Sequence, residues 1–138
     1  MDFKLELVLI PVTDVDRAKA FYVDQCGFTL DVDHQPNDDF RVVQITPPGS
    51  ACSLTIGKGL GTAEPGTYRG THLVVTDIDA ARAELTGRGV NVSDIRHMTP
   101  SGWQPGVDPA HGDYGSFADF SDPDGNTWLL QEVHHAKQ

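Results

Sequence analysis

At 138 residues the chain has the length of one domain, large enough to bury about two-thirds of its unfolded surface. Ten Lys+Arg against twenty Asp+Glu leave a formal charge of −10, which repels phosphate backbones and argues against nucleic acid as a partner. No stretch approaches the roughly 20 apolar residues of a membrane span, and Met1-Asp2-Phe3-Lys4 does not open a signal peptide, so no membrane partner and a cytoplasmic location are expected.

The first element is a strand within Leu5 to Val12, aliphatic and ending near Pro11. Asp14 then caps a helix from Val15 to Gln25, with Val15, Ala18 and Tyr22 on its buried face and Gly27 as its stop. Three strand-like runs follow: Phe28 to Asp33, Phe40 to Thr46 and Ala51 to Ile56. Cys26 and Cys52 lack CxxC spacing and sit in apolar runs, which fits reduced core thiols. Beyond them, residues 57–69 are Gly-rich and aperiodic and read as a linker.

The pattern then repeats. Val12-Thr13-Asp14-Val15-Asp16-Arg17-Ala18-Lys19-Ala20 returns as Val75-Thr76-Asp77-Ile78-Asp79-Ala80-Ala81-Arg82-Ala83, with Asp77 as cap, Ile78, Ala81 and Leu85 as the buried stripe and Gly89 as stop. Strands are expected over Val90 to Arg96, Gly115 to Ser121 and Thr127 to Val133. Both halves close on a similar turn, Pro47-Pro48-Gly49-Ser50 and Pro123-Asp124-Gly125-Asn126. The expected fold class is therefore α+β within one domain, residues 1–138: two tandem βαβββ modules, 5–56 and 70–133, forming curved mixed sheets around a cavity, with residues 134–138 as a frayed tail.

The second half carries an insertion, Met98 to Tyr114, holding three prolines, three glycines, Trp103 and Tyr114. A long aperiodic segment of this kind suits a loop over a binding site, with Trp103 stacking on a flat ligand and His111 and Tyr114 adding polar contacts. His111 and Asp113 resemble half of a dyad, but no nucleophile accompanies them, and neither a Gly-x-Ser-x-Gly elbow nor a phosphate loop is present.

The ordered set Pro11 to Ala18, Phe21-Tyr22, Gly27-Phe28, Val75 to Ala81 and Phe120 to Asn126 resembles the vicinal oxygen chelate superfamily, which includes glyoxalases, bleomycin-resistance proteins and extradiol dioxygenases. The resemblance spans Leu5 to Val133. In metal-dependent members, one residue from each of four strands holds a divalent ion. Spacing places those positions at Leu7, Ser53, Gly70 and Leu129, which supply one hydroxyl among them, so no metal and no other cofactor is expected. The next layer on the same faces is Leu9, Thr55, His72 and Gln131, where His72 and Gln131 offer a displaced alternative.

The leading expectation is a small-molecule binding protein without metal chemistry and without catalytic residues, sequestering an aromatic or amphipathic compound such as an antibiotic, and acting as a homodimer, as the resemblance implies. Its ligand-binding residues are expected to be Leu7, Leu9, Phe40, Ser53, Thr55, His72, Trp103, His111, Tyr114, Leu129 and Gln131. The alternative is a glyoxalase- or dioxygenase-type metal-dependent enzyme with a shifted site. A third reading is metal-free acid–base catalysis by His72 with Tyr114.

Overall fold

The computed structural model describes residues 1–61 and 63–135. The chain is α+β and forms two compact units, one of residues 1–68 with Asp122–Asn126, the other of residues 69–121 with 127–138. Among the described residues no helix is long and apolar enough to cross a membrane.

The first unit holds a four-stranded mixed sheet in the order β1-β4-β3-β2, from β1 (Leu7–Leu9), β2 (Thr29–Asn37), β3 (Phe40–Thr46) and β4 (Ser53–Lys58). β1 runs parallel to β4, and the other pairs are antiparallel. Alternation on β3 buries Val43 and Ile45 completely, whereas Phe40, Val42, Gln44 and Thr46 take the other face. β2 runs through Pro36 because it is an edge strand, where a missing N–H breaks no ladder. β1 is shorter than expected, with only Leu7 to Leu9 paired to Ser53 to Thr55 of β4, although Ile10 N–H still donates to the Thr55 carbonyl at 2.9 Å.

Asp14 caps α1 (Val15–Lys19) by accepting from the Arg17 amide. The helix then widens into a π-helical turn over Ala20–Gln25, closed by a Cys26 N–H to Phe21 carbonyl bond at 2.9 Å. Within this turn the consecutive aromatics Phe21 and Tyr22 are both buried. The Tyr22 hydroxyl donates to Asp122 Oδ2 at 2.7 Å, which anchors the Asp122–Asn126 turn. Asp122 also accepts from the Asp124 and Asn126 amides and from Asn126 Nδ2. With its oxygens occupied by donors, the turn is held by its own hydrogen bonds.

The second unit holds a five-stranded sheet in the order β5-β9-β8-β6-β7: β5 (Thr71–Val75), β6 (Arg96–Thr99), β7 (Gly102–Pro105), β8 (Ser116–Ser121) and β9 (Thr127–Glu132). β5 is parallel to β9. Helix α2 (Ile78–Gly87), capped by Asp77, buries Ile78 and Leu85. Trp128 stacks on Phe120 with centroids 6.3 Å apart, beside Leu130 in the core.

Two expectations fail in this unit. Val90 and Val92 are buried as a strand would require, but among the described residues their segment forms no ladder: Val90 N–H returns to the Leu85 carbonyl, Arg82 binds the carbonyls of Val92 and Ser93, and only Ser93 reaches β8, its N–H donating to the Asp119 carbonyl at 2.8 Å and its Oγ accepting from the Asp119 amide. The strand begins only at Arg96. The insertion is not an aperiodic cover throughout, because Gly102–Pro105 folds back on β6 as a fifth strand, at the edge, where Pro105 is tolerated.

Candidate functional site

The first unit carries a cavity of about 820 Å³, inside the roughly 300–1,000 Å³ range of small-molecule sites. Its floor comes from the sheet, where Leu9 lies opposite Thr55 and Gly57 follows on β4. The turn from β1 to α1 supplies Pro11 to Val15, and the segment after β4 supplies Leu60, Ala63, Pro65 and Tyr68. Gly57 permits this closure: a Cβ there would stand 2.0 Å from the Arg41 carbonyl oxygen and 2.5 Å from Leu60 Cδ1.

The wall is mixed, with Thr13, Asp14, Lys58 and Tyr68 beside the apolar side chains, and one of its polar atoms has no match. Thr55 is 3 % exposed, and its Oγ1 has no hydrogen-bond partner among the described residues. An unsatisfied buried hydroxyl costs about 1–3 kcal/mol, so its position on the floor of a cavity is informative. Sequence reasoning picked Leu9 and Thr55 but missed Gly57, Leu60 and Tyr68, since residues 57–69 read as linker; the apolar Leu60 inside a Gly-rich run was the available signal.

The other expected residues of this unit lie elsewhere. Ser53, opposite Leu7, is buried and engaged with Thr46 Oγ1 at 2.6 Å and Gln44 Nε2 at 3.3 Å. Phe40 opens β3 and remains partly exposed.

In the second unit, one sheet face carries His72, Leu129 and Gln131. His72 lies opposite Leu129 and hydrogen-bonds the Gly70 carbonyl through Nδ1, while Gln131 lies opposite Val74 and donates to the Tyr114 carbonyl at 3.3 Å. Trp103 stands on β7 as part of the sheet. Its ring meets Phe117 edge-on at 5.3 Å, with the Arg96 guanidinium 5.1 Å above it, and it remains 49 % exposed.

His111 and Tyr114 go to a different cluster. Both adopt positive φ, 49° and 66°. Glu132 follows Trp128 and Leu130 in the inward row of β9 and is 2 % exposed. Its Oε2 accepts from the Ile78 amide at the start of α2 at 3.0 Å, and its Oε1 lies 3.2 Å from both His111 Nδ1 and His134 Nε2. Burial pushes the Glu132 carboxyl up, but the Ile78 amide and the two imidazoles outweigh it and hold the group below its ordinary value. The expected frayed tail is pinned at its start: His134 N–H donates to Asp113 Oδ1 and His135 Nδ1 meets Asp113 Oδ2, both at 2.6 Å. The His134 amide, then the His135 ring, hold the Asp113 carboxyl below its ordinary value. Residues 136–138 of the expected tail lie outside the described residues. Sequence reasoning missed Glu132, although a carboxylate in an otherwise apolar inward row demands a partner.

The family model of the Glyoxalase/Bleomycin resistance protein/Dioxygenase superfamily matches residues 4–130. The chain belongs to this superfamily. Its similarity extends to solved structures. TnmS3, an antibiotic binding protein from Streptomyces sp. CB03234, is 36 % identical over 96 % of this chain and 97 % of its own, with a TM-score of 0.74. A glyoxalase/bleomycin resistance protein from Streptomyces sp. CB03234 is 37 % identical over 94 % of this chain and 100 % of its own, with a TM-score of 0.70. A superfamily member from Sphaerobacter thermophilus DSM 20745 is 32 % identical over 95 % and 98 %, with a TM-score of 0.71.

Metal-dependent members of the superfamily hold a divalent ion, and the residues at the corresponding positions of this chain decide whether one fits. Leu7 does face Ser53 across β1 and β4, but Leu129 faces His72 and not Gly70. Each sheet therefore offers at most one donor in that layer, a hydroxyl already hydrogen-bonded and a single imidazole. This donor set does not fit the superfamily's chelate centre.

Proposed function

We propose that this superfamily member binds a small aromatic or amphipathic molecule in the cavity of the first unit, by shape and one hydrogen bond to Thr55. The observation that carries this reading is the unpartnered Thr55 Oγ1 at a cavity of about 820 Å³ whose walls combine Leu9, Ile10, Val15 and Leu60 with polar groups from Thr13, Asp14 and Tyr68. Thr55 lines the cavity, and a ligand group that reaches its hydroxyl when the side chain turns toward the cavity satisfies a group that the protein itself leaves unsatisfied. The printed description of TnmS3 as an antibiotic binding protein supports antibiotics as the first compounds to try. The formal charge of −10 favours cationic ones among them.

The test is a thermal-shift screen against aromatic natural products and antibiotics, followed by titration of any hit into Thr55→Val and Leu60→Ala. A compound that binds only the folded state raises Tm by mass action. Both variants are expected to weaken the hit about tenfold or more, the loss of one hydrogen bond or of an apolar part of the wall. A hit with the same affinity in both variants places the binding elsewhere and overturns the reading.

A further inference from the structure

The cluster around Glu132 lies outside the cavity just described, and the superfamily's chelate positions do not include any of its members. His111, Glu132 and His134 each offer one ligand atom, and these three atoms all lie within 4.8 Å of one another. Two ligand atoms each about 2.0–2.1 Å from a tetrahedral ion stand about 3.3 Å apart. Both imidazole nitrogens are 3.2 Å from Glu132 Oε1, so two of the three edges of such a site have nearly that length already.

We propose that His111, Glu132 and His134 form a binding site for a borderline divalent transition metal of the zinc, cobalt or nickel class, unrelated in position to the open faces of the sheets. The donor set of two imidazoles and one carboxylate is the type such ions take, and a tetrahedral ion with three protein ligands keeps one position for solvent or an exogenous ligand. The environment divides the labour. Glu132, with its side chain 2 % exposed, anchors from inside, while the His111 and His134 side chains, 57 % and 42 % exposed, close from the solvent side. The unused carboxylate oxygen is held by the Ile78 amide, the outer-shell contact that fixes a ligating carboxylate.

The scaffold that carries the imidazoles is ordered by its own bonds. Asp108 Oδ1 and Oδ2 accept from the Ala110 and Gly112 amides, and the His111 amide donates to the Asp108 carbonyl at 2.8 Å, which fixes the turn that presents His111. The Tyr114 amide donates to the Glu132 carbonyl at 2.8 Å, and Asp113 holds the His134 amide. Loop and strand end are thus joined on both sides of the three ligand atoms, which lowers the ordering cost of binding an ion.

The experiment uses the full chain without an affinity tag, stripped with EDTA, passed through gel filtration, and titrated with Zn²⁺ and with Co²⁺. The expected result is saturation at one equivalent, a rise in Tm with Zn²⁺, and visible d–d absorption of four-coordinate Co²⁺. His111→Ala and His134→Ala, changes at exposed side chains, are each expected to weaken binding by more than about tenfold, since even outer-shell changes cost that much. His72→Ala is expected to change nothing. Circular dichroism of the metal-free variants confirms that they fold. Uptake that never saturates, or stoichiometric binding that survives both histidine variants or is lost with His72→Ala, overturns the proposal. None of these outcomes depends on the cavity of the first unit, so the two proposals fail separately.

Discussion

Two residues in the first unit show how differently a buried hydroxyl behaves with and without a partner. Tyr22 is fully buried and its hydroxyl donates to Asp122 at 2.7 Å. Tyr22→Phe removes that donor while keeping the ring, and is expected to cost about 1.5–3 kcal/mol, the range for a hydrogen bond to a charged group, measured by urea unfolding. Thr55 is equally buried but its Oγ1 is unpaired. Thr55→Val is therefore expected to leave stability unchanged or raise it by about 1 kcal/mol while weakening the ligand. Opposite signs for fold and for binding, read from Tm without and with ligand, distinguish a recognition residue from a packing residue. Thr55 was legible in the sequence as an inward position beside Leu9, because strand alternation alone sets its face. Its lack of a partner was not legible, because that depends on every atom packed around it.

Among the elements, those set by local chemistry match their sequence signals. Asp14 and Asp77 cap their helices through the amides three residues on. Asp77→Ala is expected to cost about 1 kcal/mol in thermal unfolding, since α2 loses a partner for one of its free amides. β3 occupies Phe40–Thr46 as expected, because it lies between two strands and its alternation is enforced from both sides. Gly66 carries a stricter requirement. Its φ is +77°, and a Cβ would stand 2.2 Å from the Asp124 carbonyl oxygen. Gly66→Ala is expected to destabilise by more than about 2 kcal/mol, combining left-handed strain with a backbone clash, and to lower Tm accordingly. The elements that departed from expectation did so where bonding was non-local. Val90 to Ile95 satisfies its backbone partly through Arg82 and the end of α2, and Trp103 joins a hairpin because β6 offers it an edge. A burial pattern cannot tell these from a strand and a loop.

For the molecule as a whole, acid is the informative variable because twenty carboxyl groups outnumber ten Lys+Arg. Asp33 is held by Arg41 Nε and Nη2 at 3.0 and 2.9 Å and by Lys19 Nζ at 2.8 Å. The Arg41 hydrogen bonds first, then that from Lys19, hold its carboxyl well below the usual range. A carboxyl depressed in the folded state contributes stability that is present above its unfolded value of about 3.9 and is lost as pH falls below it. Asp33→Asn is thus expected to lower stability by about 1 kcal/mol at pH 7, a figure restrained by the partial exposure of the pair, and the gap from the natural protein should narrow below about pH 4 in urea titrations.

The duplication, the two caps and the alternating strands were written in residue order, because each rests on spacings of two to four residues that any observer of the chain can count. The resemblance to the superfamily rested on motifs carried in the same order along the chain, and that resemblance placed its chelate positions on residues poor in donors. The three ligand atoms around Glu132 could not be read that way. They come from residues 111, 132 and 134, brought together when the insertion's last turn bonds to the end of β9. The cavity over Thr55 likewise exists only because Leu60 and Tyr68, in a stretch without periodicity, fold back over the sheet. Local chemistry acts between near neighbours in the chain, whereas a cavity or a ligand cluster is a property of atoms that only packing makes neighbours.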